Sequence, residues 1–322
     1  MALLKISLTT LAFFSVFAIG AFLAFSPTLV DRSLNQLAGD RGRSPTPETL
    51  ALHQQLIIGD LHADSALWGR DLLKRNTWGH VDLPRLLEGG SALQTLIMAT
   101  KSPRGQDYQS NATDDFDNIR LLGLGQRWPK ETRDGLLSRA LLQADRIKEI
   151  VKLSPSLMLI RSQSDLSALL SLRNRATPIV GALLGTEGSH ALDGDINNVD
   201  VLHAAGFRIM SLHHFFDNRL GGSLHGETKT GLTKFGRATV ERMMGFGMII
   251  DVSHSSEATV LDTFEIAVDS PFIVSHTGFN GHCQSPRNIS DETVKQIMGA
   301  GGLIGVGFWA DVTCGLNVSA IV

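Results

Sequence analysis

His62 and Asp64 stand two residues apart in Asp60-Leu61-His62-Ala63-Asp64, directly after the apolar run Leu56-Ile57-Ile58. In an extended chain residues i and i+2 share a side. An imidazole nitrogen and a carboxylate oxygen can therefore meet there on one cation, and both are good ligands for zinc. Three more residues of ligand type follow separate apolar runs. Glu187 lies in Gly185-Thr186-Glu187-Gly188 after residues 179–185. His254 lies in Asp251-Val252-Ser253-His254 after 248–252. His276 lies in Val274-Ser275-His276-Thr277 after 272–275. Three imidazoles and two carboxylates gathered in one place can hold two metals, with one carboxylate shared. Such a pair activates a common water and polarises a carbonyl. Each piece alone says little: a single His at a strand end is more often a hydrogen-bonded structural residue, and His-x-Asp arises by chance. The weight lies on all of them recurring at the same end of their runs.

Two further side chains are placed to meet a substrate. His214, in Leu212-His213-His214-Phe215, follows the run 208–212 and as a donor can stabilise an oxyanion. Its neighbour His213 alternates to the other face, toward core or supporting positions. Arg287, in Pro286-Arg287-Asn288, carries a guanidinium fork that matches a free carboxylate. Taken alone it reads as a solvated loop charge.

Positioning these residues requires parallel strands whose exits converge. Strand patterns fall at 56–59, 93–99, 179–185, 208–212, 248–252, 272–275 and 303–307, and helical periodicity at 136–151, 199–205, 234–245, 257–267 and 291–300. Ser290 suits a helix N-cap, and Gly245 and Gly247 a helix exit. Strand and helix alternate in one continuous series, which points to a (β/α) barrel more than to an open Rossmann sheet. The polar segment 101–118 reads as a loop over one barrel end. Gly305-Val306-Gly307 lacks the strand-turn-helix setting of a dinucleotide fingerprint.

The chain has 322 residues, of which 43% are hydrophobic, enough for a sizeable core. A formal net charge of −3 with no basic block argues against nucleic acid as a partner. From Ile6 to Val30 there is no charged residue, and Lys5 precedes the run. Residues 1–30 therefore read as a membrane anchor, or as a signal peptide with a weak cleavage site at Ala18-Ile19-Gly20. Either way the remainder lies outside the cytoplasm, membrane-anchored or secreted after cleavage. Residues 31–50, with Arg41-Gly42-Arg43-Ser44-Pro45-Thr46-Pro47, read as a polar linker, and 51–322 as the globular part. Cys283 and Cys314 allow one disulfide or two buried thiols.

From about residue 50 onward the chain resembles the membrane dipeptidase (renal dipeptidase) family, the M19 zinc peptidases. The resemblance is carried by Gly59-Asp60-Leu61-His62-Ala63-Asp64, Gly185-Thr186-Glu187-Gly188, Leu212-His213-His214, Ile250-Asp251-Val252-Ser253-His254, Ser275-His276 and Arg287-Asn288. It implies a (β/α)8 TIM-like barrel of the metal-dependent hydrolase type that cleaves dipeptides with a metal-bridging hydroxide. It also implies two zinc ions, one on His62 and Asp64, the other on His254 and His276, with Glu187 bridging. By the same resemblance His214 contacts the substrate carbonyl, Arg287 grips the C-terminal carboxylate, Cys283 pairs with Cys314, and a homodimer is among the assemblies allowed. One departure stands out. The family pattern continues to an eighth strand that ends in a proton-transferring Asp, whereas this sequence stops at Val322, so the barrel is expected to be incomplete, with Asp311 a weak substitute. That departure keeps open a catalytically impaired fragment or pseudoenzyme that acts as a binding protein. Another binuclear amidohydrolase is the remaining alternative; those families commonly carry His-x-His and a carbamylated Lys where this chain has His62-Ala63-Asp64 and Glu187.

Overall fold

The structure is a computed structural model that describes residues 8–37, 44–174, 178–268, 270–315 and 318–321. Among these it describes every side chain except those of 8–12, 18–19, 21–24, 174, 318 and 320. Its frame is an eight-stranded sheet: β1 (Ile58–Asp60), β2 (Ser91–Ala99), β3 (Leu157–Leu159), β4 (Val180–Glu187), β5 (Phe207–Ser211), β6 (Ile249–Asp251), β7 (Phe272–Thr277) and β8 (Leu303–Val306). The main path runs β1-β2-β4-β5-β6-β7-β8, and every pairing is parallel. Strands β2 and β4 are mostly apolar and buried almost throughout, as strands covered on both faces must be. Alternate residues feed two clusters. Leu184, Met210, Ile250 and Val274 pack on outer-helix residues such as Val240, Met243, Val260 and Ile297. Leu183, Ile209 and Ile273 form the other, joined by Leu169 of helix Gln163–Asn174.

Among the described residues β1 pairs only with β2 and β8 only with β7, so the sheet curls into a partial barrel without closing. Its two edges come near each other: a Cβ on Gly305 would stand 3.2 Å from Leu61 Cδ1. Helix ends follow local chemistry. Ser290 caps Asp291–Gly299 by accepting from the Thr293 amide, and Gly247 leaves Lys234–Gly245 in the left-handed conformation at φ +63°.

The short strand β3 is not foreseen by sequence pattern. Three residues are too few for a period to show, and β3 occupies only the first part of the β4 edge, whose later part takes β5. Helices Pro47–His53, Leu83–Glu88, Asn118–Gly125 and Gln163–Asn174 are likewise unforeseen. The stretch read as a polar stalk, 31–50, is helical at both ends, and its first residue, Asp31, is buried against the globular part. One helix, Leu8–Leu34, covers most of the expected anchor, which also falls in part outside the described residues. Among the described residues no helix is long and apolar enough to cross a membrane.

Candidate metal centre

All strands of the sheet run the same way, so their C-terminal exits meet at one rim. Asp60 ends β1, and its Oδ1 accepts from the His62 amide at 2.9 Å, while the Ile97 amide donates to Ala63 O at 3.0 Å. These bonds turn His62 and Asp64 inward. Glu187 is the last residue of β4 and only 3% exposed. Gly188 follows at φ +77°, where a Cβ would lie 3.1 Å from the His214 Cβ. Glycine there allows the β4 and β5 exits to approach. His254, three residues beyond β6, is itself left-handed at φ +61°. That conformation costs a non-glycine residue ~1–2 kcal/mol. Its carbonyl is held by the Leu224 amide (2.7 Å) and Ser223 Oγ (3.1 Å).

His62, Asp64, Glu187, His214, His254, His276 and Arg287 all line one cavity of about 950 Å3. Glu187 Oε1 lies 3.4 Å from His62 Nε2, 3.3 Å from His254 Nε2 and 3.4 Å from His276 Nε2. Its Oε2 lies 3.3 Å from His214 Nε2, and Asp64 Oδ2 lies 3.5 Å from His62 Nε2. Ligands about 2.0–2.1 Å from a tetrahedral zinc are separated by roughly 3.3–3.4 Å, so the donor set fits a metal in its spacing. The donors fall into two overlapping groups, His62-Glu187-His276 and Glu187-His214-His254. His214 is thus within ligand reach itself.

Hydrogen bonds set the tautomers. Ser275 Oγ donates to Asp251 Oδ2 at 2.6 Å, so it accepts from His276 Nδ1 at 2.9 Å, which leaves His276 Nε2 bare toward the cluster. Arg287 Nη2 can only donate, and it lies 3.2 Å from His254 Nε2 and 2.8 Å from the His276 carbonyl. Both bare nitrogens then face each other at 2.9 Å. A cation between them and Glu187 would take both as ligands. Burial, together with Arg287 and the neighbouring imidazoles, holds His254 and His276 well below the ordinary His range, hence neutral. His62 differs: burial opposes its charge, yet Glu187 and Asp64 outweigh burial and raise it to about 9. Arg287 is lowered to about 10 by burial, against the pull of Glu187. His213 faces away from the cluster, 3.1 Å from Ser255 Oγ, and burial lowers it to about 4.

Several supporting residues escape sequence reading. Asp251 and Ser275 sit inside the quoted segments with no apparent task, and only the fold shows them orienting His276. The polar loop 101–118 does cover the site: Lys101 O accepts from His214 Nδ1 at 2.9 Å, and Tyr108 O from His225 Nδ1 at 2.8 Å. Cys283 and Cys314 are disulfide-bonded, with Cα atoms 5.5 Å apart. Asp311 is exposed and does not line the cavity, whose carboxylates among the described residues are Asp60, Asp64 and Glu187.

Likenesses to known proteins bear on the fold and the family. The chain is 30% identical over 249 residues to "Dipeptidase 3" of Mus musculus, covering 70% of this chain and 45% of that protein. Its rat counterpart, from Rattus norvegicus, is 30% identical over 274 residues, covering 80% and 48%. The chain thus spans about half the length of the curated relatives it matches. Among solved structures, a metallo peptidase from Rhodobacter sphaeroides, liganded with a phosphinate mimic of the dipeptide L-Ala-D-Ala, superposes with a TM-score of 0.61 at 20% identity, over 80% of this chain and 75% of that one. The probable dipeptidase PvdM from Pseudomonas aeruginosa gives 0.64 at 19%, over 81% and 62%. These two likenesses establish the fold. Residues 47–319 match the profile described as "Membrane dipeptidase (Peptidase family M19)", and the chain belongs to that family.

Proposed function

We propose that the chain is a zinc-dependent dipeptidase, cleaving the peptide bond of a dipeptide whose free carboxylate rests on Arg287. One observation carries the reading: three imidazole Nε2 atoms converge within 3.3–3.4 Å of one oxygen of Glu187, beside a buried guanidinium. Family membership supports it, as does the fold relative that binds a dipeptide mimic. We assign one zinc to His62, Asp64 and Glu187 and a second to Glu187, His254 and His276. When bound, the pair would supply an activated water and a polarised carbonyl. Arg287 fixes the substrate's register and the Asp251–Ser275 pair keeps His276 aimed. Because the Nδ1–H of His214 is committed to Lys101, only its imidazolium form can donate to the carbonyl oxygen from Nε2.

The zinc-loaded protein is expected to bind two metals per chain by elemental analysis and to release free amino acids from dipeptides, with His254→Ala lowering kcat/KM by ~10³-fold. Metal-loaded protein that cleaves no member of a dipeptide panel would overturn this. A second reading, binding without turnover, is favoured by one observation. Asp64 and Glu187 are on the cluster and Asp60 is engaged by the His62 amide, so among the described residues no other carboxylate lines the cavity to protonate a leaving amine. That reading predicts that a phosphinate dipeptide mimic binds while no amino acid is released.

The site is proposed to work outside the cytoplasm, tethered by residues 1–30 or released by signal cleavage. The charge-free run from Ile6 to Val30 and the Cys283–Cys314 disulfide support export. Cell fractionation should find the protein in the membrane or exported fraction with its cysteines oxidised; a cytosolic, reduced protein would refute this.

A further inference from the structure

The cavity holding the cluster, about 950 Å3, is at the upper end of the roughly 300–1,000 Å3 typical of pockets for drug-sized ligands. Its outer part is built by an element the cluster does not use, the last turns of helix Leu8–Leu34. Asp31 docks those turns. It is buried, lies 3.2 Å from Arg70 Nε, and accepts from Trp78 Nε1 at 2.8 Å. The Arg32 guanidinium lies 4.3 Å from the centre of the Trp78 ring, and the Gly79 amide donates to Asn35 O at 2.7 Å. A buried carboxylate paired in this way is a docking point and not a solvated charge.

Docked so, Pro27, Val30 and Leu34 line the same cavity as Ile119, Leu121 and Leu122. Val30 is 44% exposed, Leu34 70% and Leu121 52%, an apolar shelf left uncovered at the rim. The shelf stands by the exits of β1 and β2, since Ile119 and Leu122 pack with Leu67, just after β1, and with Ala99, the last residue of β2. Arg287 instead works by the exits of β6 and β7, against His254 and the His276 carbonyl. A dipeptide with its carboxylate on Arg287 and its carbonyl on the cluster therefore extends its amino-side residue toward the shelf.

We propose that this shelf is a selectivity site that favours an extended apolar group on the amino side of the scissile bond. The proposal rests on the dipeptidase reading. It is tested by calorimetric titration of the zinc-loaded full chain with three phosphinate dipeptide mimics whose amino-side side chain is methyl, isobutyl or phenethyl. Affinity is expected to rise along the series, by about tenfold or more from first to last. Val30→Glu and Leu34→Glu should each flatten the series to within about threefold by making the shelf polar. Both positions are exposed, so the variants should keep the wild-type melting temperature, which is checked in parallel. Equal binding of the three mimics by the wild type, or a series unchanged in both variants, would overturn the shelf. Failure of any mimic to bind the wild type would instead overturn the dipeptidase reading, and the shelf with it.

Discussion

Of His62, His254 and His276, His62 alone is held in its charged form, while the other two are held neutral. A metal binds only the neutral ring, so it must displace the proton of His62. With that group raised to about 9, zinc affinity should strengthen by roughly tenfold per pH unit between about pH 7 and 9 and level off above. Loading at pH 7 should release about one proton, which calorimetry in two buffers of different ionisation enthalpy would count. An affinity independent of pH across that window would show that Glu187 and Asp64 do not hold the proton there. The residue types at the rim were legible in sequence because each follows an apolar run. Their preparation was not. Tautomers depend on Ser275, Asp251 and Lys101, and the left-handed turn at His254 depends on Ser223 and Leu224, partners that only folding brings near.

The segment after β7 carries Arg287, and the disulfide ties it to the end of the short helix Ala310–Thr313 that follows β8. Asn288 Nδ2 adds bonds to Cys283 O (2.8 Å) and Val312 O (2.9 Å), so the loop bearing Arg287, the proposed carboxylate anchor, is fastened at both ends. A bridge closing a separation of 31 residues is worth about 3.5 kcal/mol in loop-closure entropy. Replacing both cysteines by serine should lower the unfolding free energy in urea by about that amount and raise KM more than it lowers kcat. An unchanged urea midpoint would mean that the loop is held by its hydrogen bonds alone. Most strands and the long outer helices were readable from periodicity. Two of the elements that escaped, β3 and Pro47–His53, are too short for a period to declare itself.

Across the molecule, a curled parallel sheet gathers residues 62 to 287 at one rim, and that convergence follows from strand-helix alternation alone. What alternation cannot convey is the docking of residues far outside the repeating pattern. Asp31, Arg70 and Trp78 have no sequence relation that marks them as a contact. Yet their meeting gives the cavity a side that lies ahead of residue 47, where the match to the family begins. Cutting the protein back to that boundary would preserve every ligand atom while stripping away one bank of the pocket. Under the proposed function, cleavage chemistry and the choice of what is cleaved would then part company, because they are assigned to separate stretches of the chain.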